Sequence, residues 1–148
     1  MRKIVFCLYL MVMVFSMFIL SNTACATNWV YVYNSAGPTY IYVDADSVIK
    51  SDKGITFWSK TVLGSPSKVI QTELDKWEVK LTNPWQYRRI EEYDYDNNNK
   101  QTDHFIYHNE FETSSNSSGG KSVNLDREIS AALPYAKEGK DDGSVPKL

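Results

Sequence analysis

Hydrophobic and aromatic residues alternate through the first half of the chain in short runs that are separated by turn-forming residues. Residues 29–33, 40–43 and 55–63 each have the composition of a β-strand, because branched and aromatic side chains recur there with a period of two. The intervening glycine, proline and serine residues are typical of turns. The pattern predicts consecutive antiparallel strands. The first two are apolar on both faces, so we expect them to be central or covered.

The middle of the sequence contains one ambiguous segment and one predicted hairpin. Residues 68–82 fit both the spacing of a helix and the alternation of a strand, and we favour a strand or an irregular segment. Residues 85–95 and 101–111 have the alternation of two long strands. Asn97–Asn99 lies between them and predicts the turn, since Asn adopts positive φ at low cost.

A short helix is predicted near the C-terminus. Leu125, Ile129 and Leu133 lie four residues apart, which places them on one helical face. Asn124 precedes them as the predicted N-cap, and Pro134 limits the helix at its other end.

These elements predict an α+β fold, in which an antiparallel sheet of about five or six strands carries a short C-terminal helix packed on it. We expect a single domain over residues 27–136, because this length suits one hydrophobic core. The charged residues at 137–148 predict a flexible polar tail.

The first 26 residues have the pattern of a signal peptide. Two basic residues precede an apolar run at 4–20, and Ala24 and Ala26 occupy the small-residue positions of a cleavage site. Cleavage after Ala26 would deliver the chain to the periplasm, the cell surface or the medium. Two alternatives stay open: an uncleaved N-terminal anchor, and attachment of a lipid to Cys25.

Removal of this segment changes the composition. Both cysteines lie within it, so the remaining 122 residues contain no disulfide and no thiol nucleophile. Without Arg2 and Lys3, 14 basic and 18 acidic residues remain, a net charge of −4. Nucleic acid is therefore not an expected partner, since its footprint is a basic patch. No transmembrane span is expected after processing.

The region around residue 96 has a superficial likeness to a calcium loop. Asp94, Asp96 and Asn98 alternate as the first ligands of an EF-hand do. However, the twelfth position of such a loop requires a bidentate Glu, and counting from Asp94 it is occupied by Phe105. We therefore predict a hairpin turn rather than a metal site.

The two histidines are candidates for chemistry. On a strand, His104 and His108 would lie about 13 Å apart, too far to share one metal ion without intervening ligands. An enzyme that pairs either histidine with Asp103 or Glu110 is the alternative. The sequence has neither a nucleophile elbow nor a phosphate-binding glycine loop. We predict no catalytic residue, no cofactor and no metal.

Tyrosines on the predicted hairpin are candidates for a binding surface. Tyr and Trp are favoured as binding anchors because they offer a large area with few torsions. Alternation places Tyr87, Tyr93 and Tyr95 on one side of the first hairpin strand, and Tyr107 lies on its partner. The alternative is that these rings belong to the core or to cross-strand packing.

Several short motifs follow one another in a recognisable order: an exported start, a tryptophan in the first strand, an arginine pair before a hairpin, and a closing helix. The residues that carry them are Trp29, Tyr42-Val43-Asp44, Ser47-Val48, Gly54, Ile55-Thr56-Phe57-Trp58, Arg88-Arg89, and Tyr93-Asp94 or Tyr95-Asp96. In this order the motifs resemble the bacterial surface-adhesin protein E domain family over about residues 28–135.

This resemblance implies an antiparallel sheet with a C-terminal helix, and binding to host matrix or serum proteins. Members commonly carry two cysteines that can bridge the helix to a late strand. The chain has neither after residue 26, so burial of the helix face must hold the helix. We predict an exported adhesin-like binding protein without catalysis. The alternative is a structural envelope protein that forms homodimers through an open sheet edge.

Overall fold

Nine strands and one helix form the fold of the computed structural model, which describes residues 27–35, 37–65, 67–113 and 121–148. The helix α1 spans Lys121–Ala132 and continues into a 3-10 turn at Leu133–Tyr135. The strands are β1 (Trp29–Ser35), β2 (Thr39–Asp44), β3 (Ile49–Ser51), β4 (Gly54–Ser65), β5 (Lys68–Lys80), β6 (Gln86–Asp96), β7 (Gln101–Ile106), β8 (Glu112–Thr113) and β9 (Lys137–Glu138).

Six of these strands form an antiparallel sheet in the order β1-β2-β4-β5-β6-β7. The three short strands lie off this path: β8 pairs with β6, and β3 pairs with β4 and, in parallel, with β9. The predicted α+β class, with an antiparallel sheet and a short C-terminal helix, is confirmed. Strands of two or three residues are too short for an alternation pattern to reveal.

The ambiguous segment 68–82 forms the strand β5, which is hydrogen-bonded to β4 on one side and to β6 on the other. The strands β4 and β6 provide hydrogen-bond partners for the backbone N–H and C=O groups of β5. A helix on the surface would have to form all of these bonds within itself. The strand β1, by contrast, is an edge strand paired only with β2 among the described residues. Of the two expected positions, central or covered on both faces, the central one is therefore wrong for β1.

The core lies between α1 and one face of the sheet, which we call the helix-covered face. Leu125 and Ile129 of α1 are buried there, as their four-residue spacing predicts. They pack into one cluster with Phe57 of β4, Val79 of β5 and Val43 of β2. The helix begins at Lys121, so Asn124 lies within its first turn instead of capping it.

Residues 137–148, for which the composition predicts a free polar tail, contact the opposite face of the sheet. The indole N–H of Trp58 donates to the carbonyl of Ser144 at 3.1 Å. Nζ of Lys76 lies 2.8 Å from the carboxylate of Asp141. The charged side chains of this segment thus find partners on the sheet, which its composition could not show.

The predicted signal peptide lies outside the described residues, together with its cleavage site at Ala24 and Ala26 and the alternative lipid site at Cys25. No helix in the part of the chain that the structure describes is long and apolar enough to cross a bilayer.

The start of β4 depends on a glycine. Gly54 has a φ of 136°, and a Cβ there would lie 1.9 Å from the carbonyl oxygen of Val79. We expect Gly54→Ala to lower the free energy of unfolding by about 2 kcal/mol in urea denaturation. Gly37→Ala is the matched control, because its φ of 87° is also positive but its Cβ would meet nothing within 4 Å. It should cost about 1 kcal/mol. Equal losses would show that the contact with Val79 is unimportant.

Candidate functional site

The strand β7 is an exposed edge of the sheet. It pairs with β6 on one side and with no strand on its other side among the described residues. All six of its residues are exposed, including two large apolar ones: Phe105 is 45% exposed and Ile106 is 64% exposed. Because successive side chains of a strand alternate, Phe105 lies on the helix-covered face and Ile106 on the opposite face. We call these residues and their backbone the β7 edge.

The hydrogen bond that follows β7 shows which of its backbone groups point away from the sheet. The N–H of Tyr107 donates to the carbonyl of Ile90 in β6 at 3.0 Å. In an antiparallel pair, residues that bond to the neighbour alternate with residues that point outward. Phe105 therefore bonds toward β6, and the N–H and C=O groups of His104 and Ile106 point outward. Such unpaired groups are a template for another strand.

Three of the four tyrosines predicted to form a binding surface flank the β7 edge and are half-buried. Tyr93 stacks on His104 with ring centroids 4.1 Å apart, and its hydroxyl donates to Glu91 at 2.8 Å. Burial and this hydrogen bond raise the pKa of Tyr93 to about 12. Tyr95 lies further along the same strand. Tyr107 lies on the other face, beside Phe105.

Tyr87 does not belong to this surface, and its assignment to it is wrong. Only 5% of Tyr87 is exposed, and its ring packs in the core against Trp77. The cause is a β-bulge: Trp77 pairs with Arg89, whereas the preceding residue of β5 pairs with Glu91, so Ile90 is an extra residue. Beyond the bulge, alternate side chains of β6 point to the other face of the sheet. Tyr87 and Tyr93 therefore lie on opposite faces.

A charged cluster lies next to the β7 edge on the helix-covered face, with Arg89 at its centre. The guanidinium contacts Glu92, lies 3.1 Å from Asp75 and 3.5 Å from Glu73, and stacks over Trp77. Oδ1 of Asp75 accepts no hydrogen bond despite this distance, so its contact with Arg89 is purely electrostatic. Burial, and then the neighbouring Glu73, raise the pKa of Asp75 well above its usual range.

Carboxylate oxygens of Glu73, Glu92 and Asp94 lie within 4.8 Å of one another, a spacing at which they could hold a cation. Neither the residue types nor their order in the sequence pointed to this group. Arg89 already supplies positive charge to it, and the hydroxyl of Tyr107 donates to Glu92. We therefore interpret the cluster as a structural feature that supports β6, in which Arg89 neutralises part of the negative charge.

A buried carboxylic acid links the helix to the sheet. Glu128 of α1 accepts a hydrogen bond from the hydroxyl of Tyr33 at 3.3 Å. Burial raises the pKa of Glu128 to about 7, against the opposing influence of the Ser59 and Tyr33 hydroxyls. Helical spacing could have identified this residue, because Glu128 is adjacent to Ile129 on the buried side of the helix.

The region that resembles a calcium loop is a hairpin turn, as predicted. Oδ1 of Asp96 accepts hydrogen bonds from the backbone N–H groups of Asn98 at 2.8 Å and Lys100 at 2.9 Å. Asn99 adopts a φ of 58°. Asp96 therefore closes the turn between β6 and β7, while Asp94 belongs to the charged cluster.

His104 contacts a different acid from the two that the enzymatic alternative names. Nε2 of His104 lies 3.0 Å from Glu91, on the adjacent strand, instead of pairing with Asp103 or Glu110. His108 follows the end of β7 and is exposed. Neither belongs to the group of carboxylates that could hold a metal among the described residues.

In comparisons with known proteins, no family model, no curated protein and no solved structure matches this chain. The resemblance to the surface-adhesin protein E domain family therefore stays a prediction.

Proposed function

We propose that this chain is an exported, adhesin-like binding protein, and that it takes up a protein partner by strand addition at the β7 edge. The observation that carries the proposal is the exposure of all six residues of β7, with one side of the strand unpaired among the described residues. The signal-peptide pattern and the family resemblance in the sequence support the same function, in an extracellular or envelope setting.

Strand addition suits the chemistry of this edge. The outward N–H and C=O groups of His104 and Ile106 can bond to the backbone of an extended segment, which gives affinity without regard to sequence. Phe105 and Ile106 can then contact alternate side chains of that segment, one on each face of the sheet. A partner with an extended apolar segment therefore fits this edge best.

The backbone geometry provides a sharp test. Ile106→Pro removes an N–H group that points outward, so it should block strand addition and leave the bonds to β6 intact. Ile106→Ala is the matched control, since it shortens the same side chain but keeps the N–H group. We propose to immobilise extracellular-matrix, serum and envelope proteins and to measure the dissociation constant of the full chain for each one that binds. For such a partner, Ile106→Pro should weaken binding at least about tenfold more than Ile106→Ala does.

Equal affinities of Ile106→Pro and Ile106→Ala for the same partner would contradict the use of this edge. Circular dichroism must show that both variants keep the sheet. Phe105→Pro is the opposite case. The N–H of Phe105 points toward β6, so its removal by proline should perturb the fold itself.

Pairing of two copies through the β7 edge is a second candidate function, because the sequence of β7 allows a register without contacts between like charges. A two-fold antiparallel pairing centred on Phe105 places the two Phe105 rings opposite each other. It also places Ile106 opposite His104 of the second copy, and Asp103 opposite Tyr107. No like charges meet in this arrangement, whereas a register centred on Asp103 would bring two carboxylates together.

Light scattering after size-exclusion chromatography separates the two candidates. Self-pairing predicts a dimer for the unmodified chain and a monomer for Ile106→Pro. A monomer in both cases leaves β7 available for a different protein.

A further inference from the structure

The β7 edge carries uncompensated negative charge on the helix-covered face. Asp103 of β7 is directly opposite Asp94 of β6, so two carboxylates form one cross-strand pair. Among the described residues, neither forms an ion pair with a lysine or an arginine, and Asp94 accepts a single hydrogen bond, from the side-chain amide of Gln71 at 3.4 Å. Like charges directly opposite each other destabilise a pair of strands. A positive charge brought to this pair would therefore be stabilising.

Neighbouring side chains add to this negative charge. Carboxylate oxygens of Glu73 and Glu92 lie within 4.8 Å of one another and of Asp94. Arg89 is the cation that contacts Glu73 and Glu92. With Asp103 this makes four carboxylates and one guanidinium, a net charge of −3 when all are ionised. Burial and then the charge of Glu92 raise the pKa of Asp94, and Asp103 acts in the same direction. The edge therefore attracts cations on this face.

On the opposite face of the same edge, the carboxylate already has partners. Glu91 lies 3.0 Å from Nε2 of His104 and accepts the hydroxyl of Tyr93 at 2.8 Å. Ile106, the next residue of β7 on that face, is apolar and 64% exposed. An added strand thus meets unpaired negative charge on the helix-covered face and an apolar side chain on the other.

Backbone geometry fixes which residue of an added strand meets Asp103. Because the N–H and C=O groups of His104 and Ile106 point outward, an antiparallel strand forms its hydrogen-bonded pairs with these two residues. Asp103 and Phe105 then lie in non-hydrogen-bonded pairs, in which the Cα atoms are about 4.5 Å apart and the side chains are closest. In the added strand, the residue opposite Asp103 follows the residue opposite Phe105 by two positions, and both point to the helix-covered face.

We propose that the partner of the β7 edge is a basic extended segment, with an arginine or lysine opposite Asp103 and an apolar residue opposite Phe105. A long basic side chain there can reach both Asp103 and Asp94, while its methylene groups pack beside Phe105. This inference rests on the proposed use of the β7 edge and names the class of its partner. A second copy of the chain fits less well, because pairing centred on Phe105 places Tyr107 opposite Asp103 and leaves the two carboxylates without a cation.

Two synthetic peptides isolate the effect of the charge. Both are capped, extended peptides of threonine and valine that differ at one residue, two positions after the valine that faces Phe105. The first peptide has arginine there, and the second has citrulline, which keeps the shape of arginine without its charge. Each is titrated into the full chain while the backbone amide resonances of His104 and Ile106 are followed by NMR. We expect saturable shifts with millimolar affinity, and binding of the arginine peptide at least about threefold tighter at low salt. Added salt should reduce this difference.

Asp103→Asn removes one charge of the carboxylate pair and keeps the size of the side chain, so it should reduce the preference for the arginine peptide. Asp52→Asn is the matched control. Asp52 is exposed in the turn before β4, away from β7, so this variant should keep the preference unchanged.

The variant Ile106→Pro separates the two levels of the proposal. Equal affinities of the unmodified chain for the two peptides, with both lost in Ile106→Pro, would retain strand addition and overturn the basic partner. Binding of neither peptide, or shifts that Ile106→Pro leaves unchanged, would overturn the use of the β7 edge and this inference with it.

Discussion

Phe57→Ala is expected to lower the free energy of unfolding by about 4 kcal/mol. The side chain of Phe57 is fully buried between the sheet and α1, where it packs with Ile129 and Val79. Its removal forfeits the transfer free energy of the ring and leaves a cavity that the rigid sheet cannot close. Because small domains are stable by only about 5–15 kcal/mol, the variant should show a much lower midpoint of urea denaturation.

Phe105→Ala is the matched control, since it makes the same chemical change on the β7 edge, where the residue is 45% exposed. It should cost less than about 1 kcal/mol. The same variant should weaken partner binding if the proposed function is correct. Equal losses of stability in the two variants would show that the core does not lie on the helix-covered face.

Glu128→Gln is expected to stabilise the protein above neutral pH, by up to about 3 kcal/mol. In the folded state the pKa of Glu128 is raised to about 7, from an ordinary value of 4.5. A raised pKa means that the folded state holds a proton that the unfolded chain releases between these two values. Stability is therefore fully present below pH 4.5 and falls as the pH rises to about 7, beyond which the loss is constant.

The size of this effect follows from the two pKa values, since each tenfold change in a dissociation constant is worth about 1.4 kcal/mol. Glutamine carries no charge to bury, and its carbonyl can still accept the hydrogen bond from Tyr33. Urea denaturation at pH 4 and pH 8.5 should show similar stabilities for the two proteins at the lower pH and a clear advantage for Glu128→Gln at the higher pH.

Glu110→Gln tests whether the effect is specific to the buried position, because Glu110 is exposed. Its stability should follow that of the unmodified chain across the same pH range. A Glu128→Gln variant that gains nothing at pH 8.5 would mean that the carboxylate is hydrated or paired in the folded state.

The error in the predicted tyrosine surface shows where alternation fails. A period of two assigns Tyr87 and Tyr93 to one face, and this holds only for a strand without interruption. The bulge at Ile90 inserts one residue, so the two tyrosines point to opposite faces, one into the core and one toward His104. Nothing in the local sequence marks the bulge, because Ile90 is itself a good strand residue.

The helix, in contrast, could be predicted from three residues. Leu125, Ile129 and Leu133 have the spacing of one helical face, and the structure buries the first two completely and the third in part. This apolar contact holds the helix on the sheet without the cysteines that are common in the family that the sequence resembles. The helix needs no disulfide to the sheet because it packs over Ile55 and Phe57 of β4, which are almost fully buried.

Local patterns alone indicated most of the long strands, the hairpin turn and the C-terminal helix of this protein, because each depends on residues that are near neighbours in the chain. Tertiary structure decided the rest: which described strand edge is unpaired, which carboxylates surround Arg89, and how the C-terminal segment lies beside Asp44. The contacts of the C-terminal segment join residues 86 and 118 positions apart. Their geometry follows from strand order, bulges and burial. Each of these contacts therefore stabilises the protein only once the whole sheet has formed.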